Sequence, residues 1–145
     1  MIRFFLLATF GFAGMEIFSY LVHRFLFHGI FWRIHQTHHK PNKFFLELND
    51  IFSLIFALAA IALMIFGNVF AFPIGLGITL YGIVYFITHD FFTHRRFLSF
   101  GSKNKILLTI RRAHRRHHQS VEKRGIEPFG LFVFNFVKFR KKISS

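Results

Sequence analysis

The chain has 145 residues, room for one domain and not two, and 53% of them are hydrophobic, with Phe at 25 positions. A soluble core this small cannot hide so much apolar side chain, which puts a membrane ahead of water as the solvent. A formal charge of +13 would suit nucleic acid, but the cations and the apolar runs occupy separate parts of the chain, and the lack of cysteine excludes disulfides, thiolate metal sites and cysteine nucleophiles.

Three apolar runs follow in order. Phe4 to Val22 is 19 residues with one acid, Glu16; Ile51 to Phe66 is 16; Val69 to Thr88 is 20 without a charge. As helices they would extend roughly 28, 24 and 30 Å, against a hydrocarbon core of about 30 Å. The first and third are long enough to span. The second is short, although Asn49-Asp50 offers it a helix N-cap and the FFLEL stretch before it suits the membrane interface. Gly67-Asn68 makes the second and third runs a helical hairpin, and Gly75, Gly77 and Gly82 would let the third helix approach a neighbour closely. The first run reads as a span rather than a cleaved leader, because no A-x-A-like site follows it. A last apolar stretch, residues 128–139, has only twelve residues and reads as an interfacial or re-entrant segment, with a fourth span as the minor option.

The cations orient these runs. Of 19 Lys and Arg, only Arg3 lies on the side of the N-terminus and the Gly67-Asn68 turn. The positive-inside rule then places the N-terminus outside and the other eighteen on the cytoplasmic side of an inner membrane. The expectation is an all-α integral membrane protein, one domain over residues 1–145, with three to four transmembrane helices and a cytoplasmic histidine-rich helical cap.

All ten histidines fall into four groups: His23 and His28; His35, His38 and His39; His89 and His94; His114, His117 and His118. The rhythm is H-x4-H then H-x2-HH, stated twice, and every group lands on the cytoplasmic side at a helix end. On a helix, H-x2-HH puts its members at roughly 0°, 300° and 40°, one arc that converges on one metal or bridges two. Five helical steps turn about 140°, so H-x4-H aims both rings at one ion only if the helix bulges or unwinds. Otherwise the two rings serve different ions. Ten imidazoles exceed the needs of one ion, so two metals is the economical reading. Imidazole suits Fe, Cu, Zn and Ni, and a site beside greasy helices points to iron activating dioxygen rather than closed structural zinc.

Around these groups the chain resembles the bacterial β-carotene 3-hydroxylases, in the wider fatty-acid hydroxylase and sterol desaturase superfamily. The resemblance rests on GMEIFSYLVHRFLFHG, HQTHHKPNK, LELND, YGIVYFITHDFFTHRR, AHRRHH and PFGLF, from about Gly14 to Phe132. It implies an integral-membrane di-iron monooxygenase that hydroxylates the ionone rings of β-carotene to zeaxanthin through cryptoxanthin, with all ten histidines as metal ligands. Two iron ions, O2 as co-substrate, a carotenoid arriving from the bilayer and a ferredoxin-type soluble electron donor are then implied. No nucleotide-binding fingerprint supplies electrons from within the chain, because Gly75, Gly77 and Gly82 lie in a membrane helix. Arg111, Arg112, Arg115 and Arg116 would dock an acidic partner or bind anionic lipid, with no role for nucleic acid.

Three acids are candidates to support the ligands. Glu16 lies on the stripe of His23, about 10 Å deeper and too far to share its ion, and is either functional or bonded to a neighbouring helix. Asp50 and Asp90 would orient imidazoles, or serve respectively as a helix cap and as a partner of Arg95 or Arg96. Glu47 has no assignment. The rival functions are the same chemistry on a fatty acyl or sterol lipid, desaturation, and non-enzymatic metal binding.

Overall fold

The computed structural model describes residues 1–40 and 46–140. Phe44 and Phe45 of the FFLEL stretch therefore lie outside the described residues. The elements are α1 (Ile2–Leu21), π1 (Val22–Phe27), α2 (Trp32–His39), α3 (Asp50–Phe66), α4 (Ala71–Phe86), π2 (Ile87–His94), α5 (Lys105–His117) and α6 (Phe136–Phe139), and there is no strand among the described residues.

Each π segment continues the α-helix before it, so α1–π1 and α4–π2 are single rods of 26 and 24 residues. These two rods are long and apolar enough to cross a membrane. α3 is apolar but has 17 residues, about 25 Å of helix. Among the described residues, the apolar stretch from 128 forms no long helix: α6 has four residues and 128–135 is irregular.

The rods cross closely through two glycines. A Cβ on Gly11 would lie 2.3 Å from the Ile74 carbonyl oxygen, and one on Gly77 2.0 Å from that of Ala8. Gly75 sits less tightly against α3, where a Cβ would lie 2.9 Å from the Ala60 carbonyl oxygen, and Gly82 meets nothing within 4 Å because it faces a cavity. The α3–α4 turn is capped by the Asn68 side chain, which accepts from Phe70 N and Ala71 N. The N-cap expected from Asn49-Asp50 does not form: no side chain caps α3, because both side chains bind elsewhere.

Burial is inverted relative to a soluble bundle. Phe5, Phe10, Leu54, Ile55, Ile65 and Ile83 are exposed along the helices, while Glu16, Asp90, Arg111 and seven histidines are buried. A surface of this kind is stable only against an apolar solvent. The polar interior lies at the ends of the rods, where α2 and α5 fold over π1 and π2. Asn104 caps α5 by accepting from Ile106 N and Leu107 N. Further along α5, Arg111 lies over the Phe92 ring at 3.5 Å and donates to the Phe92 carbonyl, pinning α5 to π2.

Candidate metal centre

The H-x4-H spacing meets the problem of rotation by changing the helix. In π1 the His28 N–H donates to the His23 carbonyl at 3.0 Å, an i→i+5 bond, and in π2 the Thr93 hydroxyl donates to the Thr88 carbonyl at 2.7 Å across the same interval. With i→i+5 bonding one turn takes an extra residue, so the fifth residue returns to the starting face. His23 and His28 thereby converge, and so do His89 and His94.

The ten rings form two groups of five. His23, His28, His35, His39 and His117 make the first; His38, His89, His94, His114 and His118 make the second, and in each the ligand atoms all lie within 4.8 Å of one another. Each group takes one H-x4-H pair and one i,i+4 pair from the H-x2-HH box that follows it. The middle histidine of each box crosses over: His38 leaves its own half for the second group, and His117 leaves its half for the first. The groups touch where His39 and His118 stack, with ring centroids 4.4 Å apart.

The outer nitrogens decide what the inner ones can do. In the first group Nδ1 meets oxygen in every ring: Phe129 O for His23 at 2.7 Å, Lys123 O for His28 at 3.0 Å, Asn49 Oδ1 for His35 at 2.7 Å, Ser120 O for His39 at 2.9 Å and Ile126 O for His117 at 2.7 Å. In the second group Glu47 Oε2 lies 2.7 Å from His38 Nδ1, and Asp90 Oδ2 lies 3.2 Å from His89 Nδ1. These oxygens only accept, so Nδ1 carries the proton and the Nε2 lone pair points inward.

Burial keeps the rings of α2 and α5 neutral. It pushes His35 down to about 2, His117 to about 3 and His39 to about 4, opposed in each case by the bond at Nδ1. His38 and His114 are driven well below the usual value of 6.5 by burial first and then by neighbouring imidazoles. His118 is lowered for the same reasons, and its buried Nε2 has no hydrogen-bond partner among the described residues.

That combination tests the fit to metal. Nε2 faces Nε2 at 2.9 Å between His23 and His35, 3.1 Å between His35 and His39, and 3.2 Å both between His28 and His117 and between His38 and His89. With both protons held at Nδ1, neither nitrogen of these pairs has a hydrogen to share. Such contacts fit a shared cation. Ligands at right angles on an ion with bonds of about 2.1 Å stand about 3 Å apart. The donor set suits a divalent first-row metal in either group.

The acids divide between the readings the sequence left open. Asp90 meets both His89 and Arg96, the latter at 2.8 Å. Asp50 reaches no imidazole; it binds Arg96 at 2.6 Å and accepts from Glu47 N at 2.8 Å, because the position beside His35 is taken by Asn49. Glu16 reaches no histidine either. Tyr81 donates to its Oε2 at 2.7 Å, and Phe132 N and Val133 N each donate to its Oε1 at 2.8 Å. Glu47 and Asn49, which sequence reasoning left without a role beside the histidines, contact His38 and His35 directly. The available signal was that both fall within LELND. Of the apolar segment at 128–139, Phe129 and Leu131 turn inward under the first group.

A cavity of about 430 Å³ adjoins both groups, touching His23 and His35 of the first and His38, His89 and His114 of the second. Its other walls are mostly apolar, with Phe27, Phe52, Phe56, Tyr81, Tyr85 and aliphatic side chains of α1, α3 and α4 joined by Ser19, Ser53, Thr79, Asn49 and Asp90. Ile61, Ile83, Phe86 and Ile87 line it and are also exposed on the apolar surface, so it opens toward the side of the helices rather than their ends.

The fatty acid hydroxylase family matches this chain over residues 8–138. A β-carotene hydroxylase of Pseudescherichia vulneris is 38% identical over 122 residues, covering 81% of this chain and 69% of that one. One from Pantoea ananas is 36% identical, with 81% and 70% covered, and a chloroplastic β-carotene 3-hydroxylase of an Oncidium hybrid cultivar is 39% identical, with 89% of this chain and 44% of that protein covered. No solved structure matches. With its histidine boxes gathered where α2 and α5 meet two π-helical rod ends, the chain belongs to the fatty acid hydroxylase family, in the branch that contains the β-carotene hydroxylases.

Proposed function

We propose that this protein hydroxylates the β-ionone rings of β-carotene at the 3-position, giving zeaxanthin through cryptoxanthin. The relatives supply the substrate class, and the observation that carries the chemistry is the inward convergence of unprotonated Nε2 atoms at one end of an apolar cavity. Iron held by the first group (His23, His28, His35, His39 and His117) and by the second (His38, His89, His94, His114 and His118) would supply, with O2, the oxidant that side chains lack. Each turnover consumes one O2, two electrons and two protons, placing one oxygen atom in the C–H bond and releasing the other as water. The electrons come from a separate soluble carrier of ferredoxin type.

The chain's own residues bind and orient. A polyene too insoluble to leave the bilayer enters between α3 and α4, and its end ring lies against Phe27, Phe52 and Phe56 below the histidines. Ser19 and Thr79 line the cavity and return their hydroxyls to the backbone carbonyls of Glu16 and Gly75, which satisfies them without a polar guest. Glu47, Asp90 and Asn49 hold ligand rings in place, and Asp50 acts at one remove by binding Arg96. In this reading α1–π1, α3 and α4–π2 make three crossings of the inner membrane, with the N-terminus outside and α2, α5 and the C-terminal segment cytoplasmic.

Expression in bacteria that accumulate β-carotene, together with a working reductant, tests the proposal. Zeaxanthin and cryptoxanthin are the expected pigments. Unchanged β-carotene in cells that contain folded, iron-loaded protein would overturn the substrate assignment, and new hydroxylated acyl lipid would favour the reading suggested by the family's name.

A further inference from the structure

Glu16 is buried in the middle of an apolar helix, is 4% exposed, and touches none of the histidines. A carboxyl group in that setting is costly to keep unless it holds something. It holds the far end of the chain: Phe132 N and Val133 N both donate to Oε1 at 2.8 Å, while Tyr81 of α4 donates to Oε2 at 2.7 Å and is itself braced by Ser19 at 2.8 Å.

The segment it holds is the one that orients the first histidine group. Between Ser120 and Phe129 four backbone carbonyls, those of Ser120, Lys123, Ile126 and Phe129, receive the Nδ1 protons of His39, His28, His117 and His23. This stretch is irregular between α5 and α6, so no helical ladder fixes its carbonyls. At its near end it is tied to α5; at its far end it is tied to Glu16. Phe129, whose carbonyl serves His23, lies three residues before the clamped amide of Phe132. The second group takes no carbonyl from this segment.

We infer that Glu16 is a positioning residue for the first metal group, acting through the 120–133 segment. It acts as a latch inside the membrane helix: two backbone amides dock on one carboxylate oxygen, Tyr81 fixes the other, and the docked segment turns four ligand rings toward their common centre. This rests on the two-metal reading given above, and the test separates the two.

The test is anaerobic titration of ferrous iron into detergent-solubilised full-length protein, with iron per folded chain and binding affinity as readouts. Wild-type protein taking up two irons supports the metal reading; wild-type protein taking up none removes that reading whatever the variants do. Glu16→Ala is expected to retain one iron and to bind the other at least tenfold more weakly. Glu16→Gln keeps a carbonyl oxygen for both amides and should stay within a few-fold of wild type. Combining Glu16→Ala with His117→Ala should cost no further iron, whereas combining it with His89→Ala should leave none. Full occupancy with unchanged affinity in Glu16→Ala, or equal loss from both groups, overturns the latch. Where Glu16→Ala does not fold, Tyr81→Phe and Glu16→Asp take its place, and a first-group affinity equal to wild type in both overturns it equally.

Discussion

The two histidine groups have the same number of rings and the same internal pattern, yet they are held by opposite means. The first is oriented by neutral oxygens, four of them backbone carbonyls of one irregular segment and the fifth the amide of Asn49. The second is oriented by the carboxylates of Glu47 and Asp90, which gather with Asp50 around Arg96. A carboxylate behind an imidazole makes that ligand more basic and favours the charged metal; a carbonyl fixes direction without adding charge. The second group is thus an electrostatic site and the first a geometric one. Iron at the second should bind more tightly, and iron at the first should depend more on how the chain is folded.

The sharpest way to break this comparison is to remove the histidines that cross over. His38 lies in the box of the first half but gathers with the second group, and His117 does the reverse. His38→Ala should therefore empty the second group and spare the first, and His117→Ala should do the opposite. Each is expected to lower hydroxylation by on the order of 100-fold or more, since even indirect supports of a metal site are worth 10–100-fold. Metal analysis beside product formation checks this, and a loss confined to the group of the same sequence box would show the crossing to be wrong. A smaller effect follows from the acids. Glu47→Gln keeps the shape but removes the charge, and should weaken second-group iron about tenfold while leaving the first unchanged. If both groups weaken equally, the electrostatic contrast fails.

Much of this was legible in the histidine spacing. Four boxes follow from H-x4-H and H-x2-HH, the count of ten imidazoles raises the expectation of two metals, and the i,i+4 pairs His35–His39 and His114–His118 sit where helical rotation puts them. The crossing of His38 and His117 was not legible, because an arc that reaches two ions does not say which ring takes which. The π-helices stood as one of two ways to reconcile H-x4-H with a helix; only the backbone path chooses between them. Glu47 and Asn49 were hidden for a plainer reason. They lie on a separate stretch from His38 and His35, and only folding of that stretch against α2 brings a carboxylate and an amide to within 2.7 Å of the rings. Glu16 was visible as an anomaly, but its partners are 116 and 117 residues away, beyond any local pattern.

The cavity gives a perturbation that should strike both groups alike. Gly82 lines it, and a Cβ there would meet nothing within 4 Å, so a larger side chain fills space without displacing packed atoms. Gly82→Leu is expected to leave iron content at both groups intact while shifting the substrate ring from the histidines. A 1 Å misplacement costs on the order of 100-fold in turnover, though part of that loss is recovered where the bilayer lets the guest adjust, so about tenfold is expected in hydroxylation of β-carotene. Unaltered turnover would mean that the ring binds elsewhere, and lost iron would mean that the cavity wall supports the ligands.

Acid should be the gentlest perturbation of the rings, and its sign is fixed by burial. His39 of the first group is held to about 4 in the folded chain against the usual 6.5, while His38 and His114 of the second are held well below that value. As the pH of metal-free protein falls below about 6.5, the unfolded chain takes up protons that the folded chain refuses, so stability declines. For His39 that decline runs from about 6.5 to 4 and then levels, because the folded ring itself becomes protonated there. Cationic imidazole has no lone pair for metal and repels the others in its group, so protonation of His39 should loosen the first group. Thermal unfolding followed by circular dichroism should show a falling midpoint from pH 6.5 to 4, and histidine ring resonances should report His39 titrating ahead of His117 and His35. A midpoint that rises on acidification, or His35 titrating before His39, would overturn the view that burial sets the order in which these rings take up protons.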